Sequence, residues 1–225
     1  MTGRDGGTRE RVLPAVLRMP LGVVGGLAAL VVVALGVLYA GRGTPGRADR
    51  WVFSPTADSV RPPWRYAALA VDFVGEPGGA VLSIAAAVVG CLLARWPRAA
   101  VFVVVACGLV VGTTTLLKHL VGRTIHGDGN LSYPSGHTAF ATTLAVVAGV
   151  LAAGWLGLGR TRGTVLVVAV SVGGGAVMGW AEVALGAHYV TDAVAGWCTG
   201  LALTPVAAGI ADLVIRPRRP CPSRP

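Results

Sequence analysis

An all-α, polytopic membrane protein is the fold class that this sequence predicts: a bundle of six transmembrane helices with its polar site at the outer face. Three observations carry that prediction. The 225 residues are 54% hydrophobic and only 13% charged, too apolar for a typical soluble domain. Several apolar runs reach the roughly 20 residues that cross a bilayer. The short turns between runs are basic, as cytoplasmic loops are.

In chain order, residues 1–20 are polar and rich in glycine and arginine, and are expected to be a cytoplasmic N-terminal segment. Leu21 to Ala40 is an uninterrupted apolar run. It exceeds the roughly 7–15 residues of a signal-peptide core and lacks a small-x-small cleavage site, so it reads as a retained first span. Residues 41–76 form the longest polar loop, with Trp51 and Trp64 as interface markers. Within it, residues 65–75 predict a short interfacial helix. Further spans are expected near 78–93, 99–117, 135–158, 164–185 and 191–215, with tight basic turns at 95–98 and 159–162. Residues 216–225 are a basic tail. The organisation is therefore one membrane domain, 21–215, between two cytoplasmic ends.

Six spans place both termini on one side. That side carries twelve of the nineteen Lys and Arg residues, which makes it cytoplasmic. Seven of the ten acidic residues fall on the opposite side or at its membrane edge, which strengthens the contrast. A multi-pass plasma-membrane protein follows, with membrane lipids as its surroundings. The formal charge of +9 is explained by the basic ends. There is no interleaving of aromatic and basic residues, and no nucleic-acid partner is expected. Cys91, Cys107 and Cys198 lie in apolar runs and Cys221 in the tail. They show no metal-ligand spacing, so neither a metal centre, a cofactor nor a disulfide framework is expected.

Two polar stretches at the outer face carry the chemistry. The first is Tyr133-Pro134-Ser135-Gly136-His137. Ser135 is a natural N-cap, Gly136 permits close approach to the backbone, and His137 falls in the first helical turn. A helix start of this kind suits a phosphate. The second is His188-Tyr189-Val190-Thr191-Asp192. His188 and Asp192 are four apart and would share a helical face. A carboxylate there holds one imidazole nitrogen and leaves the other free to attack or bind. Lys118 and Arg123 belong to the same outer face.

These residues resemble the type 2 phosphatidic acid phosphatase superfamily, the membrane lipid phosphate phosphatases. That family carries Lys-x6-Arg-Pro, Pro-Ser-Gly-His and Ser-Arg-x5-His-x3-Asp on six spans. Lys118 fits the first motif, Pro134 to His137 match the second, and His188 with Asp192 fit the end of the third. The resemblance covers about residues 78–215. It implies dephosphorylation of a lipid phosphate at the outer leaflet without a metal. His188 would form a phosphohistidine, Asp192 would orient it, and His137 would serve as acid and then base. Lys118, Ser135 and Gly136 would hold the phosphate.

The sequence departs from the family at two motifs. Ile125 and His126 stand where the first motif has Arg-Pro, and Ala181 and Glu182 where the third has Ser-Arg. Arg123 is expected to replace one missing arginine as a phosphate ligand. A carboxylate near a phosphate needs compensation, so Glu182 is expected to pair with Arg123. The alternative function is a non-catalytic lipid-phosphate binding or carrier protein derived from this family. Phosphatidate, phosphatidylglycerol phosphate, polyprenyl phosphate and polyprenyl diphosphate are all compatible with the motifs.

Overall fold

A computed structural model describes residues 12–56, 60–127 and 129–214. The tail at 216–225 and most of the N-terminal segment lie outside the described residues. Eight helices follow in order: α1 (Ala15–Tyr39), α2 (Arg47–Thr56), α3 (Trp64–Asp72), α4 (Pro77–Leu93), α5 (Pro97–Val121), α6 (Gly136–Trp155), α7 (Arg160–Ala184) and α8 (Val190–Val214). Among the described residues the only β pairing is an isolated antiparallel bridge between Thr124 and Leu131.

Five helices (α1, α5, α6, α7 and α8) are long and apolar enough to cross a bilayer. A sixth candidate is the bent pair α3 and α4, which meet at 64°. Five of the six expected spans coincide with these five helices, and the one expected at 78–93 falls on α4, which is long enough only together with α3; the helices also run further than the apolar runs. α1 begins at Ala15, inside the stretch read as a polar segment, and α7 begins at Arg160. Long basic side chains reach the interface while their backbone stays helical, so an apolar run underestimates its helix.

α6 and α8 are central. In each, 56% of the apolar window is buried, against 28% for α1 at the rim. α8 packs on α1, α5, α6 and α7, and α6 on α5, α7 and α8. The core joins Leu17 and Leu21 of α1, Phe102 and Val103 of α5, Val146 and Val150 of α6, and Leu201 of α8. Rim residues such as Leu27, Leu30 and Val33 remain exposed, as a lipid-facing surface requires.

The stretch read as a loop, 41–76, holds two helices. A helix is present where one was expected at 65–75, as α3; α2 was not legible. The N–H of Gly46 donates to Asp49 Oδ2 at 3.0 Å, so the third residue of α2 closes back on its start. Asp49 then reaches across to α8. Its Oδ1 accepts from the backbone N–H of Thr191 at 3.0 Å and from the Thr191 hydroxyl at 2.8 Å. α2 is therefore a cap on the start of α8. Burial pushes the pKa of Asp49 up. The hydrogen bonds from Thr191, Gly46 and Arg123 outweigh that and hold it below the usual carboxylate value.

Candidate active site

The site is built where helix ends meet. Ser135 caps α6, its Oγ accepting the Thr138 N–H at 3.2 Å, and its own N–H donates to the Asp192 carbonyl at 3.0 Å. The second bond ties the start of α6 to the start of α8. Gly196 makes the approach possible, because a Cβ there would overlap the Ser135 carbonyl oxygen. His137 in the first turn of α6 and His188 just before α8 are thereby held near one another.

His188 precedes α8 rather than lying on it, so the shared helical face read from the spacing is not what joins it to Asp192. Asp192 is the third residue of α8, and its Oδ2 accepts the Tyr189 N–H at 3.2 Å. The chain folds back over that carboxylate and places His188 Nδ1 3.8 Å from the same oxygen. Asp192 has no exposed surface, and His188 is buried.

Glu182, in the last turn of α7, lies between the two imidazoles. Its Oε2 is 3.4 Å from His188 Nε2 and its Oε1 3.6 Å from His137 Nδ1. Only 1% of Glu182 is exposed, and neither oxygen has a hydrogen-bond partner. Beyond His137, its Nε2 faces Asp72 Oδ1 and Glu76 Oε1, each at 3.8 Å. The result is a line of alternating groups: Asp192, His188, Glu182, His137, then Asp72 and Glu76. Lys118, half-buried in the last turn of α5, acts electrostatically on His137, Glu182 and Asp192.

Arg123 does not join this line, and the expectations placed on it are corrected. It is fully buried, with Nη1 2.6 Å from Asp192 Oδ1 and Nη2 2.6 Å from Asp49 Oδ2. Nη1 also donates to the Thr191 hydroxyl at 2.6 Å. The guanidinium is stacked between the rings of Tyr39, at 4.0 Å, and Tyr189, at 4.6 Å. Two carboxylates already neutralise it, and it has no surface with which to meet a phosphate. The pair with Glu182 is not formed, because Asp49 and Asp192 take its two amino groups. Its backbone is pinned as well: Ser132 N–H donates to the Arg123 carbonyl at 2.8 Å, beside the bridge at Thr124.

The other departures also have structural places. Ile125 is packed inside with 1% exposure, and His126 Nε2 lies 2.7 Å from the Gly186 carbonyl, tying this loop to the turn after α7. The Ser135 hydroxyl is spent on Thr138, whose Oγ1 is 3.0 Å away. The amides of Gly136 and His137 remain in the first turn of α6, where no intrahelical acceptor exists for them.

Asp49, Asp72 and Glu76 were not found from sequence. Asp72 and Glu76 had one legible signal, two carboxylates four apart at the edge of an apolar run on the same face as the histidines. Asp49 had none, because its partner Thr191 is 142 residues away.

The profile of the PAP2 superfamily matches residues 99–213, just over half the chain. A similar solved structure is the crystal structure of the first transmembrane PAP2 type phosphatidylglycerolphosphate phosphatase from Bacillus subtilis. It is 19% identical with a TM-score of 0.65, and the likeness covers 86% of this chain and 98% of that one. Curated protein sequences give no match. At that identity the structural likeness speaks for the fold; the profile, which spans both histidine motifs and Asp192, speaks for the family, and the chain belongs to the PAP2 superfamily.

Proposed function

We propose that this protein dephosphorylates a lipid phosphate at the extracytoplasmic leaflet of the plasma membrane through a phosphohistidine. The observation that carries the proposal is the pair of imidazoles on either side of Glu182, with Asp192 behind one of them. His188 Nε2 attacks phosphorus in line while the bond to the lipid oxygen breaks. Asp192 orients the ring from Nδ1 and balances the charge that it gains. His137 gives the departing alkoxide its proton, then takes one from the water that hydrolyses the phosphoenzyme. Lys118 and the first-turn amides of α6, at Gly136 and His137, are the phosphate ligands. Ser135 supports them as the helix cap. These groups supply positive field without a metal.

Glu182 stands where a phosphate would sit between the imidazoles. A carboxylate about 5 Å from a phosphate charge is repelled by about 3 kcal/mol at an effective dielectric of 20. Turnover therefore requires Glu182 to swing aside or to take up a proton as substrate enters. The non-catalytic binding alternative gains nothing from this. Fewer phosphate ligands weaken binding and hydrolysis alike, whereas both imidazoles and Asp192 serve hydrolysis specifically.

The substrate is of the phosphatidate or polyprenyl phosphate class. An apolar cavity of about 440 Å³ between α7 and α8, lined among others by Val172, Ala176, Trp180, Val190 and Val194, suits a hydrocarbon chain. The bacterial relative's phosphatidylglycerolphosphate belongs on the same panel. The test is phosphate release by the purified protein from phosphatidate, phosphatidylglycerol phosphate, polyprenyl phosphate and polyprenyl diphosphate, with chelator present. Release from at least one, lost in His188→Ala, supports the proposal. No release from any of them, by folded protein, overturns it.

A further inference from the structure

The geometry points to a divalent-cation site at the bend between α3 and α4, made by Asp72, Glu76 and His137 Nε2 and backed by Glu182. Asp72 ends α3 and Glu76 immediately precedes α4, so the 64° bend brings two carboxylates over one imidazole. One ligand atom from each of the three residues lies within 4.8 Å of the other two. His137 Nε2 is a buried atom with no hydrogen-bond partner, 3.8 Å from an oxygen of each carboxylate. Gly75 sits inside the bend, and a Cβ there would overlap His137 Cδ2, so the backbone lies directly against the ring. Its N–H donates to the Asp72 carbonyl at 2.8 Å, which holds the bend closed.

Glu182 supplies the independent observation. It is 1% exposed, without a hydrogen-bond partner, and 3.6 Å from the other nitrogen of the same ring. A carboxylate 3.6 Å from Nδ1 favours the tautomer with its proton on Nδ1 and leaves the Nε2 lone pair facing Asp72 and Glu76. Metal-bound histidines are oriented in this way. Glu182 also adjoins Asp72, so three carboxylates crowd one imidazole, with Lys118 as the cation acting on them. One imidazole and two carboxylates suit Zn²⁺, with a fourth position left to water. Ligand bonds of about 2.0–2.1 Å need the donors to move inward by only about half an ångström. Glu76 is 53% exposed on its side chain, so an ion has a route in from solvent.

A cation on Nε2 occupies the lone pair that a proton needs. Cation binding and proton transfer by His137 therefore exclude one another, and zinc acts as an inhibitor. That consequence rests on the catalytic role proposed above; the site itself does not.

The experiment titrates Zn²⁺ alone into chelator-stripped, detergent-solubilised protein without substrate, by calorimetry and equilibrium dialysis. One ion per chain is expected. Glu76→Gln and Asp72→Asn should each weaken binding at least tenfold, with His119→Ala, on an exposed histidine elsewhere on α5, unchanged. No saturable binding by folded wild type, or unchanged binding in both carboxylate variants, overturns the site. In a second arm, zinc should inhibit phosphate release, and in Glu76→Gln the half-inhibitory zinc concentration, read against that variant's own zinc-free rate, should rise at least tenfold. Binding without inhibition overturns the inhibitory role. Binding by a protein that releases no phosphate at all counts against the catalytic reading and for the cation site.

Discussion

Arg123 and Asp192 are joined at 2.6 Å with no exposed surface on either side chain, and the other amino group of Arg123 holds Asp49 at the same distance. Asp49 and Asp192 are each the third residue of their helix, and each accepts an N–H from its own helix start. One guanidinium thus sits between two helix N-termini, α2 and α8. Its place is behind the site, where it fixes the carboxylate that faces His188.

Removing Arg123 leaves two buried carboxylates without a counter-charge. Breaking a buried pair in this way costs about 3–5 kcal/mol. Arg123→Met should therefore lower the thermal unfolding midpoint sharply. Combining it with Asp49→Asn should cost less than the sum of the two, since both break the same contact. A loss within about 0.5 kcal/mol, typical of a surface substitution, would show that the network is not structural.

Asp49 sets a pH dependence. Its folded pKa lies below its unfolded value, so the unfolded chain binds the extra proton and stability rises with pH. The contribution is complete above the unfolded pKa of about 3.9 and fades as pH falls through the lower folded value. The midpoint difference between wild type and Asp49→Asn should be constant from pH 7 to 5 and shrink below about pH 4. A difference that grows on acidification would contradict the sign.

On the proposed mechanism, Glu182 opposes the phosphate. Glu182→Gln should lower KM for the lipid phosphate by roughly tenfold, a part of the full repulsion estimated from Coulomb's law. Because Glu182 and Arg123 share no contact, the effects of Glu182→Gln and Arg123→Met on KM should add. An unchanged or higher KM in Glu182→Gln would mean that the carboxylate leaves the phosphate path at no cost.

The proposed orientation rests on the basic turns. In a cysteine-free background, Arg61→Cys, exposed before α3, should react with an impermeant thiol reagent added outside intact cells. Thr161→Cys, exposed in the first turn of α7, should not. The reverse labelling would put the site on the cytoplasmic side.

Most of the bundle was legible because span length and apolar runs are local properties, and Ser135 is a local cap that the structure bears out. The gathering of His137, His188 and Asp192 was legible too, from charge bias and span count together. The part that failed was the choice of charge partners. From sequence, Arg123 and Glu182 are both outer-face charges, and nothing local forbids their pairing. Asp49 decides otherwise, through a helix folded from a stretch rich in turn residues, and it reaches Arg123 across 74 positions. The bend that turns Asp72 and Glu76 onto His137 is likewise a tertiary fact, fixed by Gly75 against the ring.

The central claim is that His188 carries the phosphoryl group. The direct measurement is rapid quenching of the purified protein with phosphorus-radiolabelled lipid phosphate, followed by acid and base treatment of the trapped chain. Wild type should hold label that is lost in acid and kept in base, as a phosphohistidine behaves, and His188→Ala should hold none. Full labelling of His188→Ala, or wild-type turnover in that variant, would contradict the account.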